Sequence, residues 1–296
     1  MLDDPVLGDV ISATLYLAYD AIAGGLVLPR RYIELLGADT LQDSNITQIV
    51  FNSHPADSIF AAPLGAIMPQ GTPTPGVATR LADDVYVVPG VYSSLFVVFG
   101  DFVLVLEGGE NTRATENVIR QVRTIAPNKP IRYVVATHHH YDHIGGLRSY
   151  IAEDATIVTT PDAKPVIERM AMTPHRLKPD GLSRNPRPTV IQTVSETRTF
   201  EDGKHRVVLY QIGPTPHARQ MLIAYLPNEK ILFEGDMLDI PDGRPAPGGD
   251  DTAQLSRLID SLRLDVNRIV PVHGVPGTID DLRAALQHRA TVHSYD

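Results

Sequence analysis

A chain of 296 residues with 43% apolar and 21% charged residues can bury a sizeable core, as one large domain or a domain with an appendage. Its net charge of −9, from 26 basic and 35 acidic residues, comes without the basic face that a nucleic-acid partner requires. With no cysteine, disulfides and thiolate metal ligands are excluded, and the redox compartment stays unread.

No apolar run is long enough for a membrane span. Val10 to Tyr19 is apolar, but Asp9 and Asp20 bracket it and no lysine or arginine precedes it. It therefore does not read as a secretory signal, and the expectation is a soluble chain, cytoplasmic or periplasmic. Val6, Val10, Ile11, Leu15, Ala18 and Ile22 fall at helical spacing, which predicts a helix stopped by Gly24-Gly25. Arg30 to Leu36 reads as a second helical piece ending at Gly37, and Ile46 to Phe51 as a strand. Pro63, Pro69, Pro73 and Pro75 make Ala61 to Gly76 a linker or an irregular wrap. The boundary follows from it: residues 1–80 form an N-terminal helical or irregular extension, and 81–296 the main domain.

From Leu81 onward strands dominate. Val85 to Val88, Ser94 to Phe99 and Phe102 to Leu106 are predicted strands, the last two turning at Gly100-Asp101. Asn111 suits an N-cap for a helix running to Ile125, which Pro127 ends. A strand over Ile131 to Val135 leads into Thr137-His138-His139-His140-Tyr141-Asp142-His143-Ile144-Gly145-Gly146. Helix from Gly146 to Tyr150, strand from Thr156 to Thr159 and helix from Asp162 to Met170 follow. Strands end before His217, at Asp236 and at His273, and helices cover Thr252 to Leu262 and Asp280 to Arg289. The pattern is mixed α/β. Thr173 to Pro188 carries His175, Arg176, Lys178, Arg184 and Arg187; a solvated connection is favoured there over a basic flap gripping an anionic substrate. Asp239 to Asp251, rich in Pro, Gly and Asp, reads by composition only as a turn-rich loop, with shaping of a pocket mouth as the functional alternative.

The histidine tract carries the chemistry. A strand points alternate side chains to one side, so His138 and His140 project together, with Asp142 and His143 at a neighbouring position. Imidazole and carboxylate suit a borderline or hard divalent cation. Gly145-Gly146 would let the backbone turn tightly behind them. His217, Asp236 and His273 each stand where a short apolar strand stops, which is where sheet proteins gather ligands. The other histidines, His54, His139, His175, His205, His288 and His293, read as surface or packing residues.

The HxHxDH block with a later His, Asp and His resembles the metallo-β-lactamase superfamily, from about Leu81 to about Arg289. The resemblance implies a four-layer αβ/βα sandwich and a catalytic domain over 81–296. It implies that His138, His140 and His217 hold one metal, that Asp142, His143 and His273 hold a second, and that Asp236 bridges both. Two Zn2+ are expected, with iron or manganese open. Without cysteine, the β-lactamase subclass that uses a cysteine ligand is excluded. One position departs from the family: Glu107 stands where members usually carry an Asp that braces the ligand loop.

The activity so implied is a binuclear zinc hydrolase of a small-molecule ester, lactone, thioester or amide, with Asp142 orienting the nucleophile. A bridging carboxylate at Asp236 resembles the thioesterase and lactonase branches, which makes a β-lactamase the alternative. A mononuclear iron persulfide dioxygenase is the redox alternative; the diiron branch usually has Glu where His140 stands. No G-x-S-x-G elbow occurs, which argues against a serine hydrolase.

Overall fold

The computed structural model describes residues 1–22, 25–50, 53, 54, 56–61 and 76–287. The chain divides into two compact units, Met1–Thr72 and Pro73–Asp296. The linker prolines Pro63, Pro69, Pro73 and Pro75, Gly24, Phe51, Arg289, His288 and His293 lie outside the described residues. Among the described residues no helix is long and apolar enough to cross a membrane.

Among its described residues the first unit is mostly strands, with one 3-10 turn at Asp57–Phe60, which corrects the helices expected over Val6 to Ile22 and Arg30 to Leu36. β1 (Leu2–Asp4) pairs with β2 (Gly8–Val10). β3 (Ser12–Ala21), β4 (Val27–Leu36) and β5 (Asp39–Asn45) form an antiparallel sheet in that order. Leu15, Leu17 and Tyr19 follow a period of two, whereas Val10, Ile11, Leu15, Ala18 and Ile22 follow a helical one, so the apolar run offers both. Partners across the ladder decide it: Leu15 sits opposite Ile33 and Tyr16 opposite Tyr32, pairs of the aromatic and β-branched kind that stabilise sheets. Residues 46–50 carry no regular structure, so the strand expected from Ile46 is absent from them.

The second unit is built on two sheets. The first holds β6 (Thr79–Ala82), β7 (Val85–Val88), β8 (Ser94–Val98), β9 (Val103–Leu106), β10 (Ile131–Val135), β11 (Thr156–Thr159) and β12 (Ile191–Thr193). Its order is β12-β11-β10-β9-β8-β7-β6, antiparallel from β6 to β9 and parallel from β9 to β12. With it go α1 (Thr112–Ile125), α2 (Tyr141–Ile144), α3 (Leu147–Ala152), α4 (Lys164–Met172) and α5 (Gly181–Arg184). Asn111 caps α1, its side chain accepting from Ala114 N at 3.0 Å. The second sheet holds β13 (Thr197–Glu201), β14 (Arg206–Ile212), β15 (Met221–Leu226), β16 (Ile231–Glu234), β17 (Arg268–Pro271) and β18 (Gly277–Thr278), in chain order. Helices α6 (Asp250–Ser261) and α7 (Ile279–Gln287) complete it.

Strand alternation sorts the apolar residues into layers. Leu222, Ala224 and Leu226 of β15 join Val97, Leu104, Val135 and Val158 of the first sheet in one cluster between the sheets. Met221, Ile223 and Tyr225 face the other way, onto Leu255 and Ile259 of α6 and Leu282 of α7. The result is the αβ/βα sandwich. Its directions bring functional ends together: β9 and β10 run parallel, and β14, β16 and β17 run alike in the second sheet.

The basic segment 173–188 is pinned by a buried ion pair. Arg148 Nε donates to Asp180 Oδ2 at 2.6 Å, and its Nη1 donates to the carbonyls of Met170 and Ala171 at 3.0 and 2.8 Å. Asp180 in turn caps α5, accepting from Ser183 N at 2.7 Å. Burial works against the charge on Asp180, but Arg148 and Ser183 hold its carboxyl well below the usual range. Arg148→Ala would strand that charge and is expected to cost about 3–5 kcal/mol in urea unfolding at neutral pH. The lowered pKa contributes stability above the unfolded value and loses it as pH falls through the folded one. The deficit of the variant should therefore shrink on acidification; a deficit independent of pH would assign the loss to packing alone.

Candidate metal centre

All seven residues singled out in the sequence converge at one end of the sandwich. One cluster of donors comprises His138, His140, His217 and Asp236, and an adjacent one Asp142, His143 and His273; within each, ligand atoms lie within 4.8 Å of one another. The chain leaves the strand at Val135, so His138 and His140 meet in a bend beyond β10, their rings 4.5 Å apart. His139 is half-buried beside them. Asp142 and His143 lie on α2. His217 follows β14, Asp236 follows β16 and His273 follows β17, three strands that point the same way.

Asp236 stands between the clusters. Its Oδ2 lies 2.5 Å from His217 Nε2 and 3.4 Å from His138 Nε2. Its Oδ1 lies 3.0 Å from His143 Nε2 and 2.8 Å from His273 Nε2. Asp142 Oδ2 is 3.5 and 3.4 Å from the same two nitrogens. Despite this closeness, His143 Nε2, His273 Nε2 and Asp236 Oδ1 are buried without a hydrogen-bond partner. Buried polar atoms are rarely left so, and convergent unpaired nitrogen and oxygen donors fit a divalent cation.

A hydrogen-bonded chain behind the donors fixes their orientation. Thr137 Oγ1 donates to Glu107 Oε2 at 2.8 Å and lies 3.1 Å from His138 Nδ1. The same Glu107 oxygen lies 2.9 Å from His143 Nδ1. With the threonine hydrogen committed to Glu107, both imidazoles donate from Nδ1, which turns the Nε2 lone pairs of His138 and His143 inward. Glu107, a methylene longer than Asp, thus braces the loop through Thr137 and His143. Its φ of +88°, a conformation that side chains resist, accompanies the contact. Thr137, the hub of this network, is a residue the sequence reading passed over; a hydroxyl directly before the first histidine was its only signal.

The glycines behind the site serve a different purpose from the one expected. Gly145 and Gly146 have ordinary helical backbone, φ −59° and −96°. A Cβ on Gly145 would run into the Glu110 carbonyl, and one on Gly146 into Thr115 Oγ1 and the Gly108 carbonyl. They allow close packing of α2 and α3 against 108–115.

Burial lowers His138 to about 4 and also lowers His140. Burial opposes charge on His273 too, but Asp142 and Asp236 outweigh it and raise the ring to about 10. His143 is likewise raised despite burial, by Glu107, Asp142 and Asp236. Asp142 and Asp236 are held well below the carboxylate range by their histidines, against the effect of burial. The carboxylates thus demand positive charge at this spot, supplied by protons or by a cation. Burial raises Glu234, two residues before Asp236, well above the carboxylate range.

A family model described as the metallo-β-lactamase superfamily matches residues 87–273. The chain belongs to the metallo-β-lactamase superfamily. Among solved structures, a metallo-β-lactamase from Pontibacter korlensis is 21% identical with a TM-score of 0.53, over 71% of this chain and 97% of that one. The FIM-1 metallo-β-lactamase from Pseudomonas aeruginosa, in a mono-zinc form, is 19% identical with a TM-score of 0.56, over 74% and 97%. The DIM-1 metallo-β-lactamase is 16% identical with a TM-score of 0.53, over 72% and 96%. At these identities the likeness is one of fold. None of the curated protein sequences compared with the chain matches it.

Two outcomes are expected of this member of the superfamily. Because, despite burial, Asp142 and Asp236 raise His273 to about 10, divalent-ion uptake at neutral pH should release protons, and affinity should fall as pH falls. Zinc titration calorimetry in buffers of different ionisation enthalpy reads this; identical heats would contradict it. Glu107→Gln should weaken zinc binding by about ten- to a hundredfold through lost orientation of His143, with secondary structure by circular dichroism unchanged.

Proposed function

We propose that the protein is a binuclear metal-dependent hydrolase acting on an ester, lactone, thioester or amide. In this reading His138, His140 and His217 hold one divalent ion, Asp142, His143 and His273 a second, and Asp236 both; zinc is the metal favoured by nitrogen-rich sites of this kind. The observation that carries it is the split of Asp236, one oxygen turned to His138 and His217 and the other to His143 and His273. Residues from about 81 onward form the catalytic domain, and the first 80 an extension.

Ions bound there would lower the pKa of a water to about 7 and polarise a carbonyl. The chain's own part is orientation and proton handling. Asp142, a carboxylate at neutral pH, would accept a hydrogen bond from the attacking water and aim it. Glu107 and Thr137 keep the His138 and His143 rings from rotating. No serine nucleophile enters the scheme.

The bridging position of Asp236 supports lactone or thioester substrates, because β-lactamases of the superfamily usually lack that carboxylate. Similarity of fold to three metallo-β-lactamases supports β-lactam hydrolysis as the second reading. Elemental analysis should find close to two divalent ions per chain, with turnover on a lactone or thioester exceeding that on a β-lactam. Stoichiometric iron with oxygen consumption would overturn the hydrolase in favour of a dioxygenase.

Two substitutions separate the roles. Asp142→Asn keeps size and removes the orienting charge, so turnover should fall a hundredfold or more; near-normal turnover at full metal occupancy would remove that role. Asp236→Ala should weaken both ions to a similar degree in stepwise zinc titration. Two unperturbed sites would remove the bridge, and with it the preference for lactone or thioester.

A further inference from the structure

Tyr92 and Tyr141 lie beside the donors but hold nothing in the scheme above. Tyr92 sits in the loop between β7 and β8. The residue after it is tied to both sides of His273: Ser93 N donates to the Val272 carbonyl at 2.8 Å, and Ser93 Oγ donates to the Gly274 carbonyl at 3.0 Å. The Tyr92 ring stands edge-on to His273, centroids 5.0 Å apart at 78°. Its hydroxyl lies 3.3 Å from the hydroxyl of Tyr141. Tyr141 opens α2 between His140 and Asp142 and is 61% exposed. Two elements far apart in sequence therefore bring two phenols together at the rim of the site.

The pairing has a chemical consequence. Each phenol has one hydrogen to donate, and phenols keep it at neutral pH. One hydroxyl spends its hydrogen on the other, and the second is left with a hydrogen that this pair does not use. A hydroxyl that accepts one hydrogen bond donates the next more strongly. Exposed Tyr141 puts such a donor within reach of a bound molecule, while the anchored Tyr92 restrains it.

The geometry points to Tyr92 and Tyr141 as a specificity-determining pair, whose coupled hydroxyls donate one hydrogen bond to an acceptor oxygen on the substrate's acyl arm. This rests on the hydrolase reading. A site built to donate to an acceptor discriminates against the analogue that lacks it. Since the contact is remote from the reacting bond, it serves substrate and transition state alike and appears chiefly in KM.

The test is a matched pair of aryl esters, whose acyl arms carry either an amide carbonyl or the corresponding methylene, with wild type, Tyr92→Phe, Tyr141→Phe and the double variant. Wild type should prefer the amide ester. Each single variant should raise KM for it by about tenfold, leaving kcat and the methylene ester nearly unchanged. The double variant should lose no more than Tyr141→Phe alone, because Tyr92 acts only through the Tyr141 hydroxyl. Equal KM for all four proteins on the amide ester, or losses that add, overturn the pair. If wild type cleaves neither ester, the hydrolase reading fails on these substrates. Calorimetry of the amide-bearing acid with metal-loaded protein then decides the tyrosine contact: weaker binding by Tyr92→Phe supports it, and equal binding overturns it.

Discussion

The Glu107 carboxylate is wholly buried at the end of β9 and ties two parts of the site together. It takes a hydrogen from Thr137 on one side and lies against His143 Nδ1 on the other. A buried charge is tolerated only when its oxygens are satisfied, and here the satisfying groups belong to the histidine loop. Orientation of His138 and His143 therefore follows from the need to solvate one carboxylate. Gly145 and Gly146 allow the approach that makes this possible, since side chains there would collide with Glu110, Gly108 and Thr115. The bracing contact and the close packing behind it depend on each other.

Charge balance at the front of the site completes the logic. Asp142 and Asp236 face histidines at 2.5–3.5 Å, and the donors left unpaired are buried. Despite burial, Asp142 and Asp236 raise His143 and His273, so the acids favour positive charge at this point. A divalent ion would meet the same demand. The apolar layer between the sheets holds the strands whose ends carry this cluster.

The second sheet reaches this point by direction alone. β14, β16 and β17 run the same way, so residues that follow them arrive together although His217, Asp236 and His273 are far apart in sequence. The loop after β16 is held to the strand that carries His273, with Ile240 N donating to the His273 carbonyl at 3.1 Å. The expectation that 239–251 borders the site has this contact as its physical basis. The basic segment 173–188 is instead fastened to α3 through Arg148 and Asp180.

Much of the second unit was legible in the sequence, because its strands are short apolar runs with clear stops and its helices carry caps such as Asn111. The seven donors were legible because donor type and position at strand ends are local properties. The first unit was not legible: its apolar residues offer a helical set through Leu15 and Ala18 and an alternating set through Leu15, Leu17 and Tyr19, and only pairing with β4 selects the second. Glu107 was legible as a departure but not as a working brace, because its reach depends on a left-handed backbone turn and on where β10 ends. Tyr92 gave no signal, since its place beside His273 is set by Ser93 bonding across the fold. Local pattern names the donors and the elements that carry them. Long-range packing alone decides which atoms face each other, because those distances depend on strand direction and on contacts between segments remote in the chain.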